Sequence, residues 1–345
     1  MLTALLAGAA LASVQLARHG DRFGRRRSYR LLFVAMAVAG TVFALTDWLP
    51  ALIAAALTGT ISTDVIESGP FTSLEQAMLP HVAGEQGTTR LFGTYNTVAT
   101  LAGSLGALIA LLGSSPHWLL AYPVAAGAGL LATARLTPAV ELGHELEAQL
   151  LPPLHRSRGI VCRLSALFAL DSFGGGFVPQ TFIAYLFVLK YDASPQTLAL
   201  VFFAIGILQA LSFQGAVWLA GRIGLLRTMV FTHLPSNVLL AAIAFAPNLA
   251  TATALLLARS VLSQADVPTR QAYLAAVVDP SERTAAAAYT NTARYVTRPI
   301  APLLAGVAIR GGLGVPFLLA GGLKSAYDIG LYLLFRRVPI RPSSS

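Results

Sequence analysis

Charge is what this chain has least of. Asp, Glu, Lys and Arg make up 11% of its 345 residues, against 55% hydrophobic, and the mean hydropathy is +0.67. A soluble domain carries roughly 25% charged residues, so too little polar surface is present to clothe a water-soluble body. A soluble α/β protein with a large core would need short apolar runs broken by polar turns. The runs here are long enough to cross a bilayer, about 20 residues each. Apolar–polar alternation, the mark of a membrane barrel, is missing from stretches such as 101–113. Cys162 is the single cysteine, which excludes an intrachain disulfide and a thiolate metal cluster. The six histidines are scattered, and His144-Glu145 has no second histidine at the spacing of a zinc helix. Neither a metal nor a cofactor is expected, and no nucleophile and base cluster to suggest an enzyme. A cleavable signal peptide is not expected either, because residues 1–17 lack a basic start.

What is present is an all-α pattern of about eleven apolar spans. Five fall at 1–17, 30–46, 51–79, 90–113 and 117–137. Six more fall at 163–189, 195–220, 226–246, 249–278, 283–309 and 314–335. The third carries a Gly69-Pro70 breaker, and residues 81–89 are expected to turn the chain back. The stretch 138–162 reads as a cytoplasmic linker between two bundles, 1–137 and 163–338, with a tail at 339–345. The net charge of +9 with a pI near 10.1 does not mark a nucleic-acid binder, because the arginines sit in connecting turns. The proposed outer turns hold Lys190 and Arg310 as their only cations. Nearly all other turn and tail cations then fall inside, as the positive-inside bias requires, which puts the basic C-terminus in the cytoplasm. The expectation is a multi-pass protein of the cell inner membrane, monomeric, in contact with lipids.

The densest basic stretch is Gly20-Asp21-Arg22-Phe23-Gly24-Arg25-Arg26-Arg27, between the first two spans. Part of it recurs: Arg22-Phe23-Gly24 and Arg27 match Arg222-Ile223-Gly224 and Arg227, an offset of 200 residues. Gln76-Ala77, Leu79, Val82 and Asn96-Thr97 match Gln271-Ala272, Leu274, Val277 and Asn291-Thr292, an offset of 195. Two half-chains of one orientation imply parallel repeats about an axis normal to the membrane. The second half has six spans and the first five, so the counterpart of 163–189 would lie upstream of Met1. An absent first helix is the expectation, and an eleven-span protein that works as it stands is the alternative.

Ionisable residues inside spans are costly and mark functional candidates by default. Asp64, Glu67, Phe71 and Glu75 share one helical face. Arg259, Ser263, Asp266 and Arg270 share another, and Asn291, Arg294 and Arg298 a third, with Pro299 and Pro302 bending the helix beyond. Asp171 precedes Gly174-Gly175-Gly176, Pro179 and Gln180, where a bent or unwound segment is tolerated if it lines protein or water. A desolvated carboxylate, Asp64, Glu67 or Asp171, could carry a coupling proton. An arginine could hold an anionic substrate, or close a cytoplasmic gate by pairing with Glu75. The competing reading is structural pairing: Asp266 with Arg270, and Lys324 with Asp328, both i,i+4. For Lys324 and Asp328 the structural reading is preferred. Glu75 and Arg270 suit a gate or anchor.

Gly20-Asp21-Arg22-Phe23-Gly24-Arg25-Arg26 resembles the loop motif between the second and third transmembrane helices of the major facilitator superfamily. The resemblance implies a two-bundle fold of 12 helices, and a transporter that rocks its bundles about a midplane site. It makes 51–79, 163–189 and 249–278 the fourth, seventh and tenth helices, which line the cavity. It also implies that Asp21 faces the N-terminus of 283–309 and stabilises the outward-facing state; Gly221 replaces this aspartate in the second copy. Gly103-Ser104-Leu105-Gly106 lacks the Gly-Pro pair of drug/proton antiporters, and no sugar- or phosphate-porter signature is present. The functional expectation is proton-coupled efflux of a small organic solute. The alternatives are proton-linked uptake of an organic anion, and a transport-dead sensor on the same scaffold.

Overall fold

The computed structural model describes residues 1–61, 69–112, 115–136, 154–279 and 282–338, with side chains described for all of these except 17–22, 73, 76–90, 92, 110, 283 and 284. Asp64, Glu67 and most of 138–162 lie outside the described residues, as do the side chains of Asp21 and Arg22. Among the described residues every regular element is helical. The helices are α1 (Leu2–Phe23), α2 (Arg25–Leu45), α3 (Leu49–Leu57), α4 (Gly69–Ala107), α5 (Ala121–Thr133), α6 (Arg158–Gly176) and α7 (Gln180–Tyr191). They continue as α8 (Pro195–Ile223), α9 (Leu225–Ala242), α10 (Leu249–Leu262), α11 (Asp266–Val277), α12 (Arg283–Thr297), α13 (Ala301–Ala308) and α14 (Val315–Phe335). Among the described residues five stretches are long and apolar enough to cross a membrane: α2, α6 with α7 (Arg158–Tyr191), α8, Leu225–Phe245 and α14.

Helix boundaries follow local chemistry. Ser194 accepts the Thr197 N–H ahead of Pro195, and Asn248 accepts the Thr251 N–H, so both starts satisfy donors the helix leaves open. Single glycines join α1 to α2 and α8 to α9. Gly24 has φ 84° and Gly224 φ 85°, a region that costs other residues steric energy. Each carbonyl accepts the N–H four residues on, from Ser28 and Thr228, at 3.0 Å. The two turns noted as a sequence repeat thus share one backbone solution.

Several expected spans are interrupted. The third divides into α3 and the start of α4, with Gly59 and Gly69 at positive φ. The 163–189 span begins earlier, at Arg158, and breaks at Phe177-Val178-Pro179. The glycine run before that break stays helical. The 249–278 span breaks between Leu262 and Asp266, and a 3-10 turn, Arg298–Ile300, separates α12 from α13. One expectation is corrected: residues 81–89 do not form a turn, because α4 is continuous from Gly69 to Ala107. Pro80 removes one donor from that helix, and a proline can kink a long helix without ending it.

Contacts divide the chain into two units, Met1–Thr88 with Gly113–Leu150, and Thr89–Leu112 with Leu151–Ser345. In the first unit α2 packs on α5 and α3, and α1 on α3. A Cβ at Gly8 would stand 2.5 Å from the Leu57 carbonyl oxygen, so glycine sets that approach. Lipid tails are as apolar as leucine, so helices in lipid are held by close packing and polar contacts instead. In the second unit α6 packs on α12 and α14, α9 on α14, α10 and α11, and α10 on α8. Two apolar clusters form its core. One holds Phe177, Ile183, Phe187, Leu240, Leu256 and Phe317. The other holds Leu164, Phe168, Met229, Tyr273, Tyr327 and Leu331.

Candidate functional site

Between those two clusters, each of the four central helical paths of the second unit carries ionisable residues. On α6, Asp171 follows Phe168 and precedes Phe177. On α9, His233 and Asn237 lie between Met229 and Leu240. Asp266 and Arg270 of α11 lie between Leu256 and Tyr273, and Lys324 and Asp328 of α14 lie between Phe317 and Leu331. The result is an ionic layer sandwiched between apolar ones. Asp171, His233, Asp266 and Arg270 are buried, and Asn237 and Asp328 are fully so.

Two hubs organise the layer. Asp171 Oδ1 accepts a short hydrogen bond from Lys324 Nζ, and its Oδ2 lies 3.7 Å from Arg270 Nη1. The same Arg270 nitrogen donates to Asp266 Oδ2 at 3.1 Å. Asp328 is the second hub. Its carboxylate faces His233 Nδ1 at 2.9 and 3.1 Å and accepts from Asn237 Nδ2 at 2.8 Å. His233 Nε2 lies 3.8 Å from Asp171 Oδ1, so the imidazole stands between the hubs. Aromatic rings close the site. Arg270 lies over Phe168 at 5.6 Å, and Tyr327 stands edge-on to His233 at 5.8 Å.

Small residues make these distances possible. A Cβ at Gly174 would stand 3.0 Å from Lys324 Cγ and 3.2 Å from Leu323 Cβ. One at Gly176 would stand 2.5 Å from the Arg298 carbonyl oxygen. The glycine run after Asp171 is therefore a packing face that brings α14 and the Arg298 turn against α6. Ser172 Oγ and Thr297 Oγ1 add hydrogen bonds between α6 and α12, at 2.9 Å to the Arg294 carbonyl and 3.0 Å to the Ala169 carbonyl.

Of the residues singled out in the sequence, the structure brings Asp171, Asp266 and Arg270 together. Arg294 reaches Asp171 electrostatically from α12. Arg259 lies on α10 with its Nε buried and without a hydrogen-bond partner, and it forms no ion pair among the described residues. Gln180 opens α7, Asn291 is half-buried on α12, and Arg298 heads the 3-10 turn. In the first unit Glu75 accepts from Tyr29 Oη, and Arg25 is buried at the start of α2. Gly20, Asp21 and Arg22 close α1. The expected Lys324–Asp328 pair is corrected: Lys324 turns to Asp171 and Asp328 to His233. Sequence reasoning missed His233 and Asn237. Their signal was a histidine and an amide at i,i+4 within an apolar span, where each is expensive.

Residues 1–263 match the family model described as Major Facilitator Superfamily. The chain belongs to the major facilitator superfamily. A relative in Saccharomyces cerevisiae, described as an uncharacterized membrane protein, is 24% identical over 376 residues, spanning 96% of this chain and 84% of the relative. The crystal structure of the human organic anion transporter MFSD10 superposes with a TM-score of 0.65 at 18% identity, covering 96% of this chain and 81% of that one. At that identity the likeness speaks for the fold. This superfamily member is therefore a polytopic, all-helical membrane protein of a transporter family. Two of the helices that carry its ionic layer, α6 and α11, belong to the spans expected to line the cavity.

A second polar feature lies outside the spans. Glu282, between α11 and α12, accepts the backbone N–H groups of His155 at 2.6 Å, Arg156 at 2.9 Å and Ser157 at 2.8 Å. These are donors at the start of α6, where the helix dipole also favours an anion. The bonds, that from His155 foremost, hold the Glu282 carboxyl well below its ordinary value, at about 2.

Proposed function

We propose that this superfamily member is a secondary transporter that exports a small organic solute by alternating access, coupled to proton entry. The observation that carries this reading is the ionic layer of Asp171, His233, Asp266, Arg270, Lys324 and Asp328 inside apolar helices. Buried charges in lipid are retained where they line ion or substrate pathways. A layer of paired charges can exchange a proton at small cost only when the helices part. The proposed architecture is two bundles, 1–137 and 163–338, joined by 138–162. The chain acts as a monomer in the cell inner membrane, with its C-terminus in the cytoplasm. Asp64 and Glu67 are further candidates for the coupling proton. Gly20 to Arg25 and Glu75 serve its gate.

A second reading, proton-linked uptake of an organic anion, is favoured by Arg259. It is a cation on a membrane helix with no carboxylate paired to it among the described residues, and guanidiniums suit carboxylate recognition. The name of the human neighbour, an organic anion transporter, supports the same class.

The test is flux in proteoliposomes under an imposed pH gradient, with a panel of small organic cations, neutral compounds and anions. Gradient-driven movement of at least one class is expected, reduced more than tenfold by Asp171→Asn. Movement of none, with protein inserted and monodisperse, would remove the transport reading in favour of a sensor. An anion that moves only with Arg259 intact would select the second reading.

A further inference from the structure

The ionic layer has an odd charge count. Asp171, Asp266 and Asp328 give three negative charges, and Lys324 and Arg270 give two positive ones. The sixth member is His233, whose side chain is 4% exposed. Imidazole is the side chain in this set whose ordinary titration falls near neutrality. With His233 neutral these six groups sum to −1 and with it protonated to zero, while Arg294 on α12 adds a further positive charge acting on Asp171.

The geometry around the ring fits a bound proton. Nδ1 lies on the Asp328 carboxylate and Nε2 points toward Asp171, so an imidazolium would face a carboxylate at each nitrogen. Groups on α6, α9, α11 and α14 act on it, and α10, which also packs on α9, carries Arg259. Asn237 on α9 and Tyr327 on α14 adjoin it. Asp266 on α11 acts on it favourably and Lys324 on α14 unfavourably. Arg270 on α11 and Arg294 on α12 act on Asp171 beside it. We propose that the His233–Asp328 pair binds the coupling proton, with Asn237 positioning the carboxylate and Asp171 carrying the change in charge to α6. This rests on the transport reading above and names the group that reading leaves open.

Proton and motion are linked by burial. A side chain this enclosed gains or loses a proton only when its helices separate enough to admit water. Once the proton leaves, Asp171 keeps Lys324 and Arg270 but loses its cationic neighbour on α9. The tie between α6 and α9 weakens, six residues before the break at Phe177. Asp328 and His233 titrate as one coupled pair, so the proton belongs to both.

The proton site can be tested without a substrate. The full chain, labelled with 15N-histidine, is placed in lipid nanodiscs and titrated from pH 5 to pH 10. One imidazole signal, identified by its loss in His233→Gln, should titrate in a single step. Asp328→Asn should move the midpoint down by at least one pH unit, and Lys324→Met should move it up. A His233 signal that stays flat across the range, or a midpoint indifferent to both substitutions, overturns the proposal. Lys324→Met keeps the test open if the other two variants fold poorly.

Coupling is then read in pyranine-loaded proteoliposomes given ethidium or p-aminohippurate, with counterflow exchange measured in parallel. Wild type should show solute-driven proton movement, and His233→Gln should lower the ratio of proton movement to exchange at least tenfold. Equal proton movement in both overturns the assignment of the coupling proton. A titrating His233 in a chain that moves neither protons nor solute sinks the transport reading instead.

Discussion

The ionic layer and the apolar clusters on either side of it belong to the same helices, yet different forces hold them. Around Phe187, Leu240 and Phe317, the groups in contact would be equally well solvated by lipid, so only tight fit favours association. Around Asp171 and Asp328, separation would leave charges in hydrocarbon. Close packing is needed everywhere, but electrostatic satisfaction is needed only in the middle. The layer is thus the place where a change of a single charge would alter helix contacts without remodelling the core.

The sharpest way to break the contrast is to strip one charge from the layer. Asp171→Asn leaves Lys324 without its closest counter-ion, and losing one partner of a buried pair costs about 3–5 kcal/mol. Thermal melting of the purified chain should show a larger drop than any packing substitution produces. Adding Lys324→Met should recover most of it, since removing both charges is far less costly than removing one. A double variant no more stable than the single one would mean the pair is not a unit.

The next test belongs to the packing side. On α14, a Cβ at Gly321 would stand 2.7 Å from the Asn237 carbonyl oxygen and 2.8 Å from Ala241 Cβ, while nothing lies within 4 Å of one at Gly322. Gly321→Ala should cost about 1–3 kcal/mol by overpacking, and Gly322→Ala nothing measurable. Equal effects from the two would show that α9 and α14 adapt to each other more freely than the distances imply.

Much of this arrangement is legible in the sequence, and the rest escapes it for identifiable reasons. Span positions follow from hydropathy, and the breaks near Pro179 and Pro299 from backbone chemistry. The pairing of Asp266 with Arg270 follows from i,i+4 spacing. The same spacing rule misleads for Lys324 and Asp328. They are also four apart, but the neighbouring helices offer closer partners, and helix rotation decides which face meets which. His233 escapes notice because its partner lies 95 residues away, beyond any local pattern. The expected turn at 81–89 fails because polarity alone does not reverse a chain, and α4 runs through the segment unbroken.

A comparable effect probes the repeat. Gly224, at φ 85° and ψ 160°, and Gly24, at φ 84° and ψ 130°, occupy backbone regions that strain a residue bearing Cβ by about 1–3 kcal/mol. No side-chain contact is involved at Gly224, where nothing lies within 4 Å of an added Cβ. Gly224→Ala should therefore destabilise through conformation alone. Gly24→Ala should do the same to a similar degree. A marked inequality between them would argue that the turns are alike in sequence and not in mechanical role.

The smallest effect lies outside both the layer and the clusters, at Glu282, and it is distinguished by its pH dependence. The folded carboxyl titrates at about 2 against an ordinary 4.5. Its contribution is therefore complete above pH 4.5 and is lost as pH falls from there through 2. Melting temperature should decline across that window in wild type. Glu282→Gln should be less stable at pH 7 and should show a shallower decline, because its amide oxygen accepts from the α6 N–H groups but carries no charge to lose. Hydrogen exchange at pH 7 should quicken at the amides of His155, Arg156 and Ser157 in the variant. The helix start they belong to leads along α6 to Asp171. A variant with unchanged exchange there would show that the clasp follows the position of α6 and does not set it, leaving the ionic layer to hold that helix by itself.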